Sequence, residues 1–161
     1  MSRFEEHINR YLRGNSGEFL RRLKKYGKEM LTQNKPESSI FSKMQAIDDT
    51  VRLEGKRISE HERRESSLDL YYSTPSLIFI IELKSGKVGF RGLAQAAYYN
   101  TCILDGHDFV LLLGNSKGLD FDEFSHKCLK DTATSNVHFV GYSDIGLNVS
   151  HKEDVVSFSF R

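Results

Sequence analysis

The sequence predicts an α/β fold, a central mixed sheet flanked by helices and preceded by N-terminal helices. Three observations carry this. Apolar residues recur at three- and four-residue steps in the first 49 positions, the helical period. From Ser67 onward, strand-like segments are separated by helical ones, which places helices on the faces of a sheet. Two apolar runs, LeuIlePheIleIle at 77–81 and PheValLeuLeuLeu at 109–113, read as strands buried on both faces. The Ala- and Leu-rich segment between them has the length of a right-handed parallel crossover.

Taken in order, residues 3–13 and 16–31 are expected helices. In the second, Phe19, Leu20, Leu23, Tyr26 and Met30 share a face, and Asn15 and Ser16 are placed to cap its start. AsnLysProGluSerSer (34–39) breaks the pattern. A short helix is expected over 40–49, through Ile40, Phe41, Met44 and Ile47, and a strand start at 50–53. Residues 54–66 are polar enough to read as a loop or hairpin edge. SerLeuAspLeuTyrTyr (67–72) alternates as a half-buried strand, 73–76 as its turn, and 77–84 as its partner strand. A loop at 85–89 leads into a helix over 90–103, then a strand at 109–114. Residues 120–131 read as a helix, and 136–142 and 155–160 as later strands. No repeat or linker divides the 161 residues, so a single domain is expected, with its core motifs in 67–114 and a helical part in 1–49.

The composition, 39% hydrophobic and 28% charged with 2 Pro, excludes disordered and low-complexity classes. No apolar run reaches the ~18 residues of a membrane span. The charged start argues against a secretory signal. Two cysteines give neither a disulfide framework nor zinc spacing. A reducing, cytoplasmic setting without a membrane partner is the expectation. Net charge is +1, but residues 1–66 hold 15 Lys/Arg against 11 Asp/Glu, a local +4. That half is the one suited to a polyanion.

The chemistry concentrates at Asp69, Glu82 and Lys84. Glu82 and Lys84 lie two apart on one strand, hence on one face. A hairpin joining 67–72 to 77–84 brings Asp69 beside them. Burying such groups is costly unless they pair or meet a cation. Two carboxylates and the Leu83 carbonyl form a hard oxygen set suited to Mg²⁺ or Mn²⁺. Lys84 beside them would hold a water and stabilise phosphoryl charge, the two needs of phosphodiester hydrolysis. On the following helix, Arg91, Gln95 and Tyr99 fall at i, i+4 and i+8 and form one stripe. Gln95 is placed to hydrogen-bond a substrate or to orient Lys84, Tyr99 to stack or to donate to phosphate, and Arg91 to pair with phosphate.

Asp69, twelve intervening residues, Glu82 within IleGluLeuLys (81–84), and then GlnAlaAlaTyrTyr (95–99) together resemble the PD-(D/E)XK nuclease superfamily. The Gln-x-x-x-Tyr element is similar to its RecB-like branch. The resemblance covers residues 67–114 and implies a restriction endonuclease-like core. It implies metal ligands at Asp69 and Glu82, the catalytic lysine at Lys84, and supporting roles for Gln95 and Tyr99. It also implies a further acid on the first helix, for which Glu18 is best placed and Glu29 is the rival. Leu68 stands where the family motif has proline. His61 falls in the range of an upstream metal-binding histidine found in some relatives, although an exposed loop histidine is the plainer reading.

The expected function is therefore Mg²⁺- or Mn²⁺-dependent hydrolysis of DNA, by a homodimer where both strands must be cut. The alternative is an inactive nuclease fold that binds nucleic acid or a protein; a third reading is an unrelated α/β protein with a structural Glu82–Lys84 pair. Other patterns point elsewhere less specifically. GlyLysValGlyPheArgGly (86–92) is not a phosphate-binding loop. Cys102, Tyr71, Tyr72 and Tyr98 read as packing residues.

Overall fold

The computed structural model describes residues 3–33, 39–48, 50–57, 67–74, 77–86, 88, 89, 92, 94, 95, 98, 109–114, 119, 120, 137–153 and 155–161. Helix α1 spans Arg3–Gly14 and α2 spans Ser16–Leu31. Both are amphipathic. Ile8 and Leu12 of α1 and Phe19, Leu20 and Leu23 of α2 are fully buried in one core. The expected cap of α2 works in the other direction. The Asn15 side chain makes no cap hydrogen bond; its amide donates back to the Tyr11 carbonyl at 2.8 Å. The Ser16 hydroxyl donates to the Arg13 carbonyl at 2.9 Å. These two residues satisfy the last carbonyls of α1, which would otherwise lack partners.

Helix α3, Ser39–Met44, is shorter than the expected 40–49. Ile47 is still buried, but in the turn after the helix, where its carbonyl accepts from Lys24 Nζ at 2.8 Å. Next, the Asp48 carboxylate accepts from the Thr50 N–H and hydroxyl, both at 2.9 Å, an Asx-type turn. Gly27 of α2 lets α3 approach: a Cβ there would stand 2.9 Å from Phe41 Cδ1 and 3.0 Å from Phe41 Cβ.

Among the described residues the main sheet has five strands, lying across it in the order Glu54–Arg57 (β1), Ser67–Thr74 (β2), Leu77–Leu83 (β3), Phe109–Gly114 (β5) and Val137–Gly141 (β7). β1, β2 and β3 are antiparallel neighbours, while β3, β5 and β7 run parallel. The sheet is thus mixed, and the 77–84 and 109–114 segments are adjacent central strands as expected. Strand pairing through Thr74 and Leu77 makes the hairpin turn tighter than the expected 73–76.

Three findings concern polar strands. Glu54–Arg57, expected as a loop or hairpin edge, is edge strand β1, and 50–53, expected to begin a strand, precedes it without being one. Backbone pairing holds such an edge. Val88–Gly89 (β4), expected as loop, pairs in parallel with Leu119–Asp120 (β6), so Asp120 is not helical; residues 121–131 lie outside the described ones. β8 (Leu147–Lys152) pairs antiparallel with β9 (Val155–Phe160) in a hairpin of which only the second strand was expected. Phe158 of that hairpin meets Phe4 of α1 edge-on at 5.6 Å and Tyr11 at 5.7 Å. Between β7 and β8, a 3-10 turn over Tyr142–Ile145 ends at Gly146 in the left-handed region, φ 74°.

Candidate functional site

Strand β3 divides its side chains between two environments. Phe79, Ile81 and Leu83 join the core shared with α1 and α2. By alternation, Ile80, Glu82 and Lys84 belong to the other face of the sheet. Glu82 is 1% exposed and Lys84 half-buried. Lys84 Nζ donates to Gln95 Oε1 at 2.7 Å. Gln95 is helical, as are Gly92, Ala94 and Tyr98. The structure therefore joins the strand and helix halves of the motif at one contact.

The backbone of Lys84 is held on both sides. Its N–H donates to the Leu113 carbonyl of β5 at 2.8 Å. Its own carbonyl accepts from the Tyr142 hydroxyl at 2.6 Å. Tyr142 is 1% exposed, and its turn is fixed by the Asp144 carboxylate, which accepts from the Gly141 N–H at 2.9 Å. Sequence reasoning missed this anchor because Tyr142 lies 58 residues from Lys84 and carries no local signal beyond ending a strand.

Asp69 lies on β2, and its side chain is outside the described residues. The register pairs Leu70 with Ile81, so the next step sets the Asp69 position opposite Glu82. Positions directly opposite in an antiparallel pair share a face. On the other side of β2 the register shifts between Glu54 and Lys56, which pair with Tyr71 and Leu68. Asp69 and Leu70 therefore stand against Gly55 alone, a β-bulge. Bulges re-aim a side chain and recur beside active sites.

Leu83 ends β3 with its side chain in the core. Arg91, Tyr99 and His61 lie outside the described residues. Among the described residues, no group of three or more His, Cys, Asp or Glu side chains could hold a metal ion.

Glu18 is not brought to this group. It sits on α2, which packs on the face carrying Ile81 and Leu83, and its carboxylate is taken by Arg21 and Arg22, each at 2.7 Å. The Arg21 hydrogen bond, followed by that from Arg22, lowers the Glu18 pKa below its ordinary value of 4.5. Its rival Glu29 is exposed on the same helix. A carboxylate lowered on folding stabilises the fold above its unfolded value, and this is lost as pH falls through the lowered one. With Glu18 over a third exposed, solvent screens the pair, and each ion pair contributes about 0.2–0.5 kcal/mol. Glu18→Gln should therefore lower stability slightly at pH 7 and not at all well below pH 4.5, as read by urea unfolding at the two pH values.

No described helix is long and apolar enough to cross a membrane. Comparisons of the chain with family models, with curated proteins and with solved structures find no match.

Proposed function

We propose that the chain is a Mg²⁺- or Mn²⁺-dependent nuclease of the PD-(D/E)XK type, with a restriction endonuclease-like core, that hydrolyses phosphodiester bonds in DNA. The supporting observation is a buried Glu82 on the same face as a Lys84–Gln95 hydrogen bond, on the central strand of a mixed sheet. The Asp69 position lies opposite, at a bulge. A carboxylate 1% exposed on an apolar strand calls for a cation or hydrogen bonds. Carboxylate and carbonyl oxygens are a donor set that fits Mg²⁺ or Mn²⁺. Asp69, Glu82 and the Leu83 carbonyl would hold it. The ion, when bound, supplies Lewis-acid charge at the phosphoryl group and a more acidic water.

The chain's own residues do the rest. Lys84 places positive charge where the transition state gathers negative charge. Gln95 holds that ammonium in direction, and the contacts to Leu113 and Tyr142 hold its backbone. Arg91 and Tyr99, which lie outside the described residues, would contact the phosphate.

The test is incubation of purified protein with plasmid and single-stranded DNA in Mn²⁺, with an EDTA control. Cutting that EDTA abolishes is expected. Protein that binds DNA but cuts neither substrate would replace this reading with a non-cutting nuclease fold. Protein that does neither would return the Glu82 region to a structural role.

A further inference from the structure

A groove of about 710 Å³ opens between α1, from Glu6 to Gly14, and the start of β1 with the two residues before it. Arg10 and Arg13 line it from α1, and Arg52 from the opposite wall. All three are exposed, and none forms an ion pair among the described residues, in contrast to Arg21 and Arg22 on α2. Arg10 and Arg13 are i, i+3 neighbours, so their guanidinium groups leave the helix on one side. Asn9, 8% exposed, adds an amide to the floor. Glu6 and Glu54 also line the groove, leaving three cations against two carboxylates.

The three arginines form no ion pair among the described residues and exceed the two carboxylates around this concavity by one positive charge. Macrodipole complementation at the end of α1 accounts for Arg13, in the last turn, but not for Arg10 in mid-helix or Arg52 on another element. Guanidinium forks match the paired oxygens of a phosphate. The groove also adjoins the candidate site. Glu54 on its wall pairs with Tyr71, two residues along β2 from Asp69.

We propose that this groove binds the phosphodiester backbone of a nucleic-acid strand through Arg10, Arg13 and Arg52. The choice of a nucleic-acid phosphate rests on the nuclease reading; the phosphate chemistry of the groove does not.

The experiment is fluorescence anisotropy of labelled single-stranded and duplex oligonucleotides in EDTA, where no cutting occurs, over a salt series. Wild type is compared with Arg10→Ala, Arg13→Ala and Arg52→Ala. Each substitution should weaken binding to both probes and reduce the slope of log affinity against log salt by about one. Glu54→Gln should tighten binding, a direction that general damage to the fold does not produce. Variants that fold and keep the wild-type slope and affinity would overturn the proposal, as would wild type that binds neither probe. Displacement of the oligonucleotide by inorganic phosphate at constant ionic strength would assign the groove to free phosphate and overturn the strand. Arginine-dependent binding without cutting in Mn²⁺ leaves the groove standing and removes the nuclease. Cutting with unchanged slopes does the reverse.

Discussion

Lys84→Ala is expected to lower the Mn²⁺-dependent cleavage rate by about 10²–10³-fold, the loss seen when one preorganised donor to a transition-state charge is removed. Mn²⁺ affinity should stay nearly unchanged, because the ammonium is not a ligand. Stability should also hold: the side chain is half-buried, and the hydrogen bonds at Leu113 and Tyr142 use backbone groups that alanine keeps. Glu82→Gln, which preserves volume in a fully buried position, should lose cleavage together with Mn²⁺ affinity. Gln95→Ala should be milder, since it removes only the 2.7 Å bond that directs Lys84. Single-turnover cleavage beside Mn²⁺ titration separates the three. A Lys84→Ala protein that cuts at the wild-type rate would remove Lys84 from the chemistry.

Phe41→Ala should cost about 3–5 kcal/mol of stability, the range for truncating a buried aromatic. Phe41 is fully buried and joins three elements. Its ring meets Tyr26 of α2 edge-on at 5.5 Å and His138 of β7 at 4.6 Å, and it fills the space opened by Gly27. Removing it leaves a cavity that rigid helix and sheet walls close only in part. Because domains are stable by only about 5–15 kcal/mol, such a loss should move the urea midpoint far down. A change under about 1 kcal/mol would mean that α3 does not contribute its packing to the native state.

How much of this was legible in the sequence follows from which interactions are local. Phe19, Leu20 and Leu23 repeat at the helical period, so α2 was placed to the residue. The runs at 77–81 and 109–113 are apolar on both faces, so their central, parallel pairing was legible too. Strand β1 was legible only as a loop or hairpin edge, because GluGlyLysArg is held by backbone pairing at an edge and carries no apolar alternation. Strand β8 was missed for a related reason: Leu147 and Val149 alternate with Asn148 and Ser150 over too short a stretch to stand out. In the site, the sequence offered Gln95 either to a substrate or to Lys84, and the structure contains the bond to Lys84. The bulge opposite Gly55 and the Tyr142 anchor depend on strands distant in sequence, which no local pattern encodes. The first-helix acid failed differently. Glu18 has suitable chemistry, but its helix packs on the other face of the sheet and two arginines already hold it.

The central claim is that the Asp69, Glu82 and Lys84 face is a divalent-metal site for phosphodiester hydrolysis. Calorimetric titration of Mn²⁺ into wild type, Asp69→Ala and Glu82→Gln tests it most directly. Near-ultraviolet circular dichroism would check that each variant keeps its fold. If the site gathers two carboxylates, relief of their repulsion should leave the Asp69→Ala protein at least as stable as wild type without metal. The account predicts weak but measurable binding to wild type and none to either variant. Mn²⁺ binding that persists unchanged in both folded variants would contradict it.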